Sequence, residues 1–430
     1  LKKKELIKLL GIGFLALSLL AMPLMSACGP SEPEDGVEPV VIGLPTSLGY
    51  WFGIGALEAC TMAVEEINAA GGVNVAGEMR PFKLVSIDTR DSAPGVPTAD
   101  SMLAIEKLIL EDKPVAIVGA PNRSEVMLAA MDLNAKYKVP QIGTLAKTPA
   151  FQAKIAEDYE KYKYCFRITT TALYMANYHV ELIKAIGEQY GFNKFFGIHQ
   201  DVLWARGTVA LINAGLEEAG WEIVGTESIP LGATDFSIPL LKVKDSGAQV
   251  MAIMFDMPEV AQLVDQWATM EIPALPIGVV GPLVEVGTWD AYDAKVEGVI
   301  LHICEAGVVP IPAIPQSVTF WQKYNDRWGH EPTGVAGHSP SYDSVYLVKE
   351  AIERAGSLDP DAIVTALEAT DKDGVIGHIK FDENHQIPYG TDPAETAVGP
   401  FIQWQQPGER KVVFPFSVAE AEIILPPWMQ

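Results

Sequence analysis

Short apolar runs with no polar alternation recur along this sequence, each followed by a longer stretch with helical spacing. The first is VVIGL at 40–44, after which Leu57, Cys60, Val64 and Ile67 recur at three- and four-residue intervals up to Gly71-Gly72. A strand that is apolar on both sides belongs inside a sheet covered by helices on each face, the usual setting of a parallel strand. The cycle repeats with strands expected at 82–88, 115–119 and 140–144, separated by helical stretches that end near Leu110 and Ala135. A second series begins near Phe166. Helices are predicted at about 174–190 and 205–219, with strands at 195–199, 223–224, 250–255 and 276–280. This order predicts an α/β protein of two doubly wound, parallel-sheet lobes. A chain of 430 residues is also too long for one comfortable core.

The region from residue 299 fits neither series alone. It offers a strand at 299–303, two helices at 317–328 and 342–355, then a segment at 361–369, an extended stretch at 374–382 and a proline-rich end. Two lobes and a segment able to visit both predict a chain that crosses between them more than once. Several crossings make a hinge, and the cleft it opens is a favoured ligand site.

The formal charge of −24 repels nucleic acid, and no basic stripe offsets it. Lys2, Lys3, Lys4 and Lys8 precede an apolar stretch at 9–24, and small residues then lead to Cys28. This is the form of an export signal over residues 1–27, and Met25-Ser26-Ala27-Cys28 resembles a bacterial lipobox, which implies lipidation of Cys28. An uncleaved membrane anchor is the alternative. Both place the body outside the cytoplasmic membrane, in a periplasm or at a cell surface. Residues 28–38, acidic and proline-bearing, read as a tether. Cys60, Cys165 and Cys304 then remain, an odd number without a CxxC, and three buried thiols are the plainest reading. The seven histidines show no metal-ligand spacing, so no metal and no cofactor is expected.

Gly53-Ile54-Gly55 opens a helix after a strand, but Glu58 stands where a dinucleotide turn needs its third glycine. Gly337-His338-Ser339-Pro340-Ser341 departs from a nucleophile elbow at its last position and reads as a polar loop entering a helix at Tyr342. With no acid–base or nucleophile constellation, an enzyme is not expected.

A different chemistry gathers at the strand mouths. Asn122 and Glu125 have the spacing of a helix cap, which leaves Arg123 unexplained. A cation at a helix start costs stability unless an anion arrives, and a guanidinium grips a carboxylate with two parallel hydrogen bonds. Lys147 ends the next strand in the same way, before Thr148-Pro149. Two solvated surface charges are the alternative. Tyr50-Trp51-Phe52 and Trp204 supply aromatic wall at other strand mouths, and Asp256, after the run 250–255, either caps a helix or faces the cleft.

The segments AVEEINAAGGV, IDTRDSAPGVPTADSMLAIEKLILEDKPVAIVGA, DFSIPLLKVKDSGAQVMAIMFDMPEVAQLVDQW and SYDSVYLVKEAIERAG resemble the branched-chain amino-acid-type solute-binding proteins of ABC importers, in order over residues 40–381. The resemblance implies a type I periplasmic-binding fold whose lobes close on a ligand across three hinge strands. It implies lobe one at 39–166 and 304–374, and lobe two at 167–303 and 375–425. In that family the turns after the third and fourth strands hold the ligand carboxylate, and these match Asn122-Arg123-Ser124 and Leu145-Ala146-Lys147. The family commonly has hydroxyl residues where Arg123 and Lys147 stand, which implies a more cationic pocket here. The family's first-turn aromatic matches Phe52, or Trp51 if the loop is offset, and its lobe-two aromatic matches Trp204. The acid that holds an ammonium is replaced by Leu283, with Glu285 two residues on and Asp256 on the neighbouring strand. The implied function is capture of a small carboxylate-bearing solute, a hydrophobic amino acid or related organic acid, for delivery to a membrane permease and ATPase. A ligand-sensing subunit of a signalling system is the alternative.

Overall fold

The computed structural model describes residues 37–430; the export signal, Cys28 and the tether up to residue 36 lie outside the described residues. The first lobe is built on β1 (Val40–Thr46), whose burial is nearly continuous, as expected of a strand covered on both faces. A small antiparallel hairpin of β2 (Val73–Val75) and β3 (Glu78–Arg80) follows the first helix. Next come β4 (Phe82–Asp88), β5 (Ala116–Gly119), β6 (Gln141–Gly143) and β7 (Cys165–Arg167). They form a five-stranded sheet in the order β4-β1-β5-β6-β7, every pair parallel.

The second sheet begins with β8 (Lys194–Gln200), β9 (Glu222–Ile229), β10 (Val250–Phe255), β11 (Leu275–Val280) and β12 (Ile300–His302). The chain then returns to the first lobe. Helices Pro315–Trp328 and His338–Ala355 pack on helix Trp51–Ala69 through Arg327–Glu65 (2.7 Å) and Lys323–Glu66 (2.9 Å) ion pairs and a Tyr342 hydroxyl bond to Glu66 (2.7 Å). A hairpin of β13 (Asp371–Gly374) and β14 (Gly377–Lys380) is tied to that helix by the buried Asp343 carboxylate, which accepts from Val375 N (2.9 Å). The last two strands, β15 (Phe401–Gln405) and β16 (Glu409–Phe414), complete the second sheet, in the order β16-β15-β12-β11-β10-β8-β9. They are antiparallel additions to a parallel core. The proline-rich reading of this end missed them.

Three crossing segments run side by side. Arg167 N donates to His385 O (2.9 Å), Ile303 N to Pro400 O (2.8 Å) and Ala306 N to Val398 O (2.9 Å). Arg167 is fully buried among them. Its guanidinium donates to Gln386 Oε1 (2.6 Å), Thr148 O (2.7 Å) and Gln152 Oε1 (3.1 Å) and lies 4.6 Å from the Phe151 ring centre.

Helix starts differ from the sequence reading in two places. Trp51 opens a helix and does not lie in a loop, and the helix expected at Tyr342 begins at His338. Pro340 falls in its first turn, where a missing N–H costs nothing. Cys60, Cys165 and Cys304 are buried free thiols, as expected. Among the described residues no helix is long and apolar enough to cross a membrane.

Candidate functional site

Parallel strands end on one edge of each sheet, and the two sets of ends face the same cleft. A cavity of about 20 Å³ remains there, walled by Trp51, Phe52, Leu145, Met175, Val279 and Val335, with Lys147, Cys304 and Ala336 also at its edge. A single water needs about 10–15 Å³ on this measure. Trp51 is wedged between the lobes. A Cβ at Gly281, just after β11, would stand 2.6 Å from its ring, and one at Gly334, where φ is +74°, 2.1 Å. Both glycines exist so that the indole fits.

Beside this apolar compartment lies one with more charged and polar residues, Ser92, Arg123, Ser124 and Glu125, closed by Val202, Leu231 and Met257. The two share Asn122, Trp204 and Asp256. Asp256 closes β10 and keeps some accessible surface, but its carboxylate is surrounded by neutral donors. Trp204 Nε1 donates at 3.0 Å, Asn122 Nδ2 at 3.3 Å from the other lobe, and Gln200 Nε2 also donates. Gln200 in turn accepts from Asp256 N at 3.1 Å. Burial pushes the Asp256 carboxyl above its usual range, against the pull of these hydrogen bonds. No cation of the chain pairs with it among the described residues.

The capping expectation at 122–125 is corrected. Helix Ser124–Tyr137 has Arg123 at its N-cap position and no side-chain cap, because Asn122 turns to Ser92 Oγ (3.2 Å) and Asp256. The Asp91 carboxylate accepts Arg123 N–H at 2.7 Å and Ser47 Oγ–H at 2.6 Å. The N–H groups of Ser124, Glu125 and Val126 have no intrahelical partner by position. Ser124 Oγ and Arg123 Nε are buried and without hydrogen-bond partners among the described residues. Arg123 has only a loose 3.9 Å approach to Glu125.

Lys147 lines the apolar compartment, but its charge is answered within the chain. Its ammonium meets Glu305 Oε1 at 3.1 Å, with side-chain exposures of 9% and 0%, and Thr169 Oγ1 at 2.7 Å. Ala146 is buried but is not wall; its carbonyl accepts from Arg167 Nη1 at 3.3 Å. Glu285 is exposed beyond the turn Gly281–Leu283 and lines neither compartment. The structure thus gathers Trp51, Phe52, Asn122, Arg123, Ser124, Lys147, Trp204 and Asp256, and leaves out Ala146 and Glu285. Sequence reasoning passed over Asp91, Gln200 and Glu305. Glu305 is a lone acid just past an apolar run, a signal that could have found it; Asp91 and Gln200 sit among other polar residues at their strand ends and carry no such signal.

Two lobes with strand ends converging on an enclosed, aromatic-walled cleft define a binding protein that holds a small molecule between its lobes. The model of the periplasmic binding protein family matches residues 41–391, and the chain belongs to that family. It is a family of solute-binding proteins of transporters, periplasmic or extracytoplasmic, and not of enzymes. An amino acid binding protein of Pseudomonas aeruginosa is 26% identical over 386 residues, 88% of this chain and 94% of that one. A leucine-, isoleucine-, valine-, threonine- and alanine-binding protein of the same organism is 24% identical, over 85% of this chain and 91% of that one. The substrate-binding protein of a branched-chain amino acid transporter from Streptococcus pneumoniae, solved with isoleucine, superposes with a TM-score of 0.71 at 22% identity, covering 90% of this chain and 100% of that one. A solute-binding protein of an R. palustris ABC transporter, solved with 4-hydroxybenzoate, gives 0.71 at 19% identity, covering 87% and 96%.

Proposed function

We propose that this chain is the solute-binding lipoprotein of an ABC importer, anchored through Cys28, which takes an amino acid with a largely apolar body and delivers it to a permease and ATPase. The lobe limits at 166/167, 303/304 and 374/375 belong to this reading. The first two are supported by a first sheet drawn wholly from 40–167 and a second drawn from 194–302 and 401–414. The third cuts the β13–β14 hairpin, which is tied to the first-lobe helix His338–Ala355, so we place that crossing after Lys380.

One observation carries the choice of ligand. Among the described residues Asp256 is a carboxylate without a cation, and it stands beside an uncapped helix start where Arg123 Nε and Ser124 Oγ have no hydrogen-bond partner. An ammonium answers the first and a carboxylate the second, and the helix start adds its own partial positive charge. The aromatic compartment suits the side chain. The names of the two Pseudomonas aeruginosa relatives agree with this. The 4-hydroxybenzoate in the R. palustris structure favours a second reading, an organic acid without an amine. Such a ligand leaves Asp256 unanswered.

A thermal-shift screen of L-amino acids, aliphatic acids and aromatic acids tests the class, since a ligand at 100 times its Kd stabilises the fold by about 2.7 kcal/mol. Calorimetric titration of Arg123→Ala with the best hit tests the site. Truncating one side of a desolvated charge pair costs about 2–5 kcal/mol, roughly 30- to 5,000-fold in affinity. Unchanged affinity in a folded Arg123→Ala would overturn the carboxylate assignment.

A further inference from the structure

Lys147 stands on the part of the apolar compartment that the polar one does not share. Its partners belong to the crossing segments, Thr169 just after β7 and Glu305 just after β12. Thr169 Oγ1 also donates to the same Glu305 oxygen that receives the lysine. An ammonium has three N–H donors, and two are engaged here. Glu305 Oε2 is fully buried and has no hydrogen-bond partner among the described residues. The wall away from Asn122 and Asp256 is thus apolar except for Lys147, whose ammonium keeps a spare donor, while Glu305 lies behind it and does not line the chamber.

A side chain ending in methyl groups would seal that donor into the closed cleft unanswered, which costs roughly ten- to hundredfold in affinity. A carboxylate tip is also disfavoured. Glu305 already balances the lysine, so a second anion would bring uncompensated charge into a dry site. A hydroxyl or carboxamide answers it: its oxygen accepts from the ammonium and brings no net charge. We propose that the solute ends in a neutral hydroxyl or carboxamide, read by Lys147 with Glu305 as its positioning partner. This rests on the amino-acid reading above.

Three near-isosteric pairs of L-amino acids form the probe set for calorimetry: asparagine and leucine, glutamine and methionine, tyrosine and phenylalanine. In the pair that fits the chamber, the polar member is expected to bind at least about tenfold tighter. Lys147→Met with Glu305→Leu replaces the ion pair by apolar side chains of similar size, a change a fold usually tolerates. In that double variant the apolar member should win. Glu305→Gln keeps the shape and frees the lysine's charge, and should move the preference from glutamine towards glutamate. If the apolar member wins in every pair that binds the unaltered protein, the inference is overturned and the amino-acid reading stands. A polar preference that survives the double variant, or no shift towards glutamate in Glu305→Gln, overturns the role of Lys147 and Glu305. If none of the six binds at millimolar concentration, the amino-acid reading falls and this inference with it.

Discussion

His179 and His302 pack ring against ring inside the second lobe, with centroids 5.1 Å apart, and His302 stacks on Phe401 at 4.3 Å. His179 Nδ1 bonds to Met175 O at 2.7 Å; its Nε2 and both nitrogens of His302 have no hydrogen-bond partner among the described residues. Burial holds His179 down at about 4 and His302 well below the usual imidazole range, so both are neutral in the folded protein. An unfolded chain would protonate them near pH 6.5. Their stabilisation is therefore complete above that pH and is lost as pH falls towards 4, by about 3 kcal/mol for His179 alone. Asp343 acts in the opposite sense, because burial raises its carboxyl to about 6 and protonation then favours the fold between about pH 4 and 6. Denaturation of the protein and of His179→Gln at pH 7 and pH 4.5 separates the two. The variant is expected to lose less stability on acidification, and an unchanged difference would refute the histidine's part.

At the scale of elements, the first helix shows why GxG was a false nucleotide signal. A Cβ at Gly53 would stand 1.9 Å from Ser47 O, and one at Gly55 would stand 1.9 Å from His338 Nε2. These glycines let helix Trp51–Ala69 lie against its own entry turn and against the start of helix His338–Ala355; they do not cradle a phosphate. Gly55→Ala should destabilise the protein by about 1–3 kcal/mol, since overpacking of the buried imidazole outweighs alanine's better helix propensity. A urea midpoint that falls with an unchanged slope is the expected result. The parallel strands were legible because burial on both faces leaves an unbroken apolar run: VMAIMF at 250–255 is buried at every position. Strands β15 and β16 were not legible. The run FIQWQ is short and broken by glutamines; its hairpin partner ERKVVF follows across Gln406-Pro407-Gly408, but its place in the second sheet, where Leu301 meets Ile402, is set only when the chain returns from the first lobe.

Across the whole molecule, the lobes are held together at the cleft by Asn122 on Asp256 and by Trp51 between its two glycines. Arg410 on β16 adds an ion pair to Glu331, in the loop between two first-lobe helices, at 2.6 Å. A cavity of about 20 Å³ admits no amino acid, so a solute enters only when these contacts part. Binding then shifts the population between open and closed forms by its differential affinity for them. Small-angle scattering should give a smaller radius of gyration with saturating ligand than without. Equal radii, with binding proved by calorimetry, would count against closure.

The sequence by itself determined the two α/β series, the return of the chain after residue 303 and most of the residues that meet at the cleft. Each is a local matter: the periodicity of burial, or a polar or aromatic residue placed where a strand must end. What answers each charge was decided only in three dimensions. Lys147 and Glu305 are 158 residues apart, and Asn122 and Asp256 are 134 apart. Local spacing marked Lys147 and Arg123 as the same kind of cation, but the fold neutralises one with a buried carboxylate and gives the other a loose 3.9 Å approach to Glu125. A buried charge acquires its role from its partners, and these partners come together only when the crossing segments bring the lobes face to face.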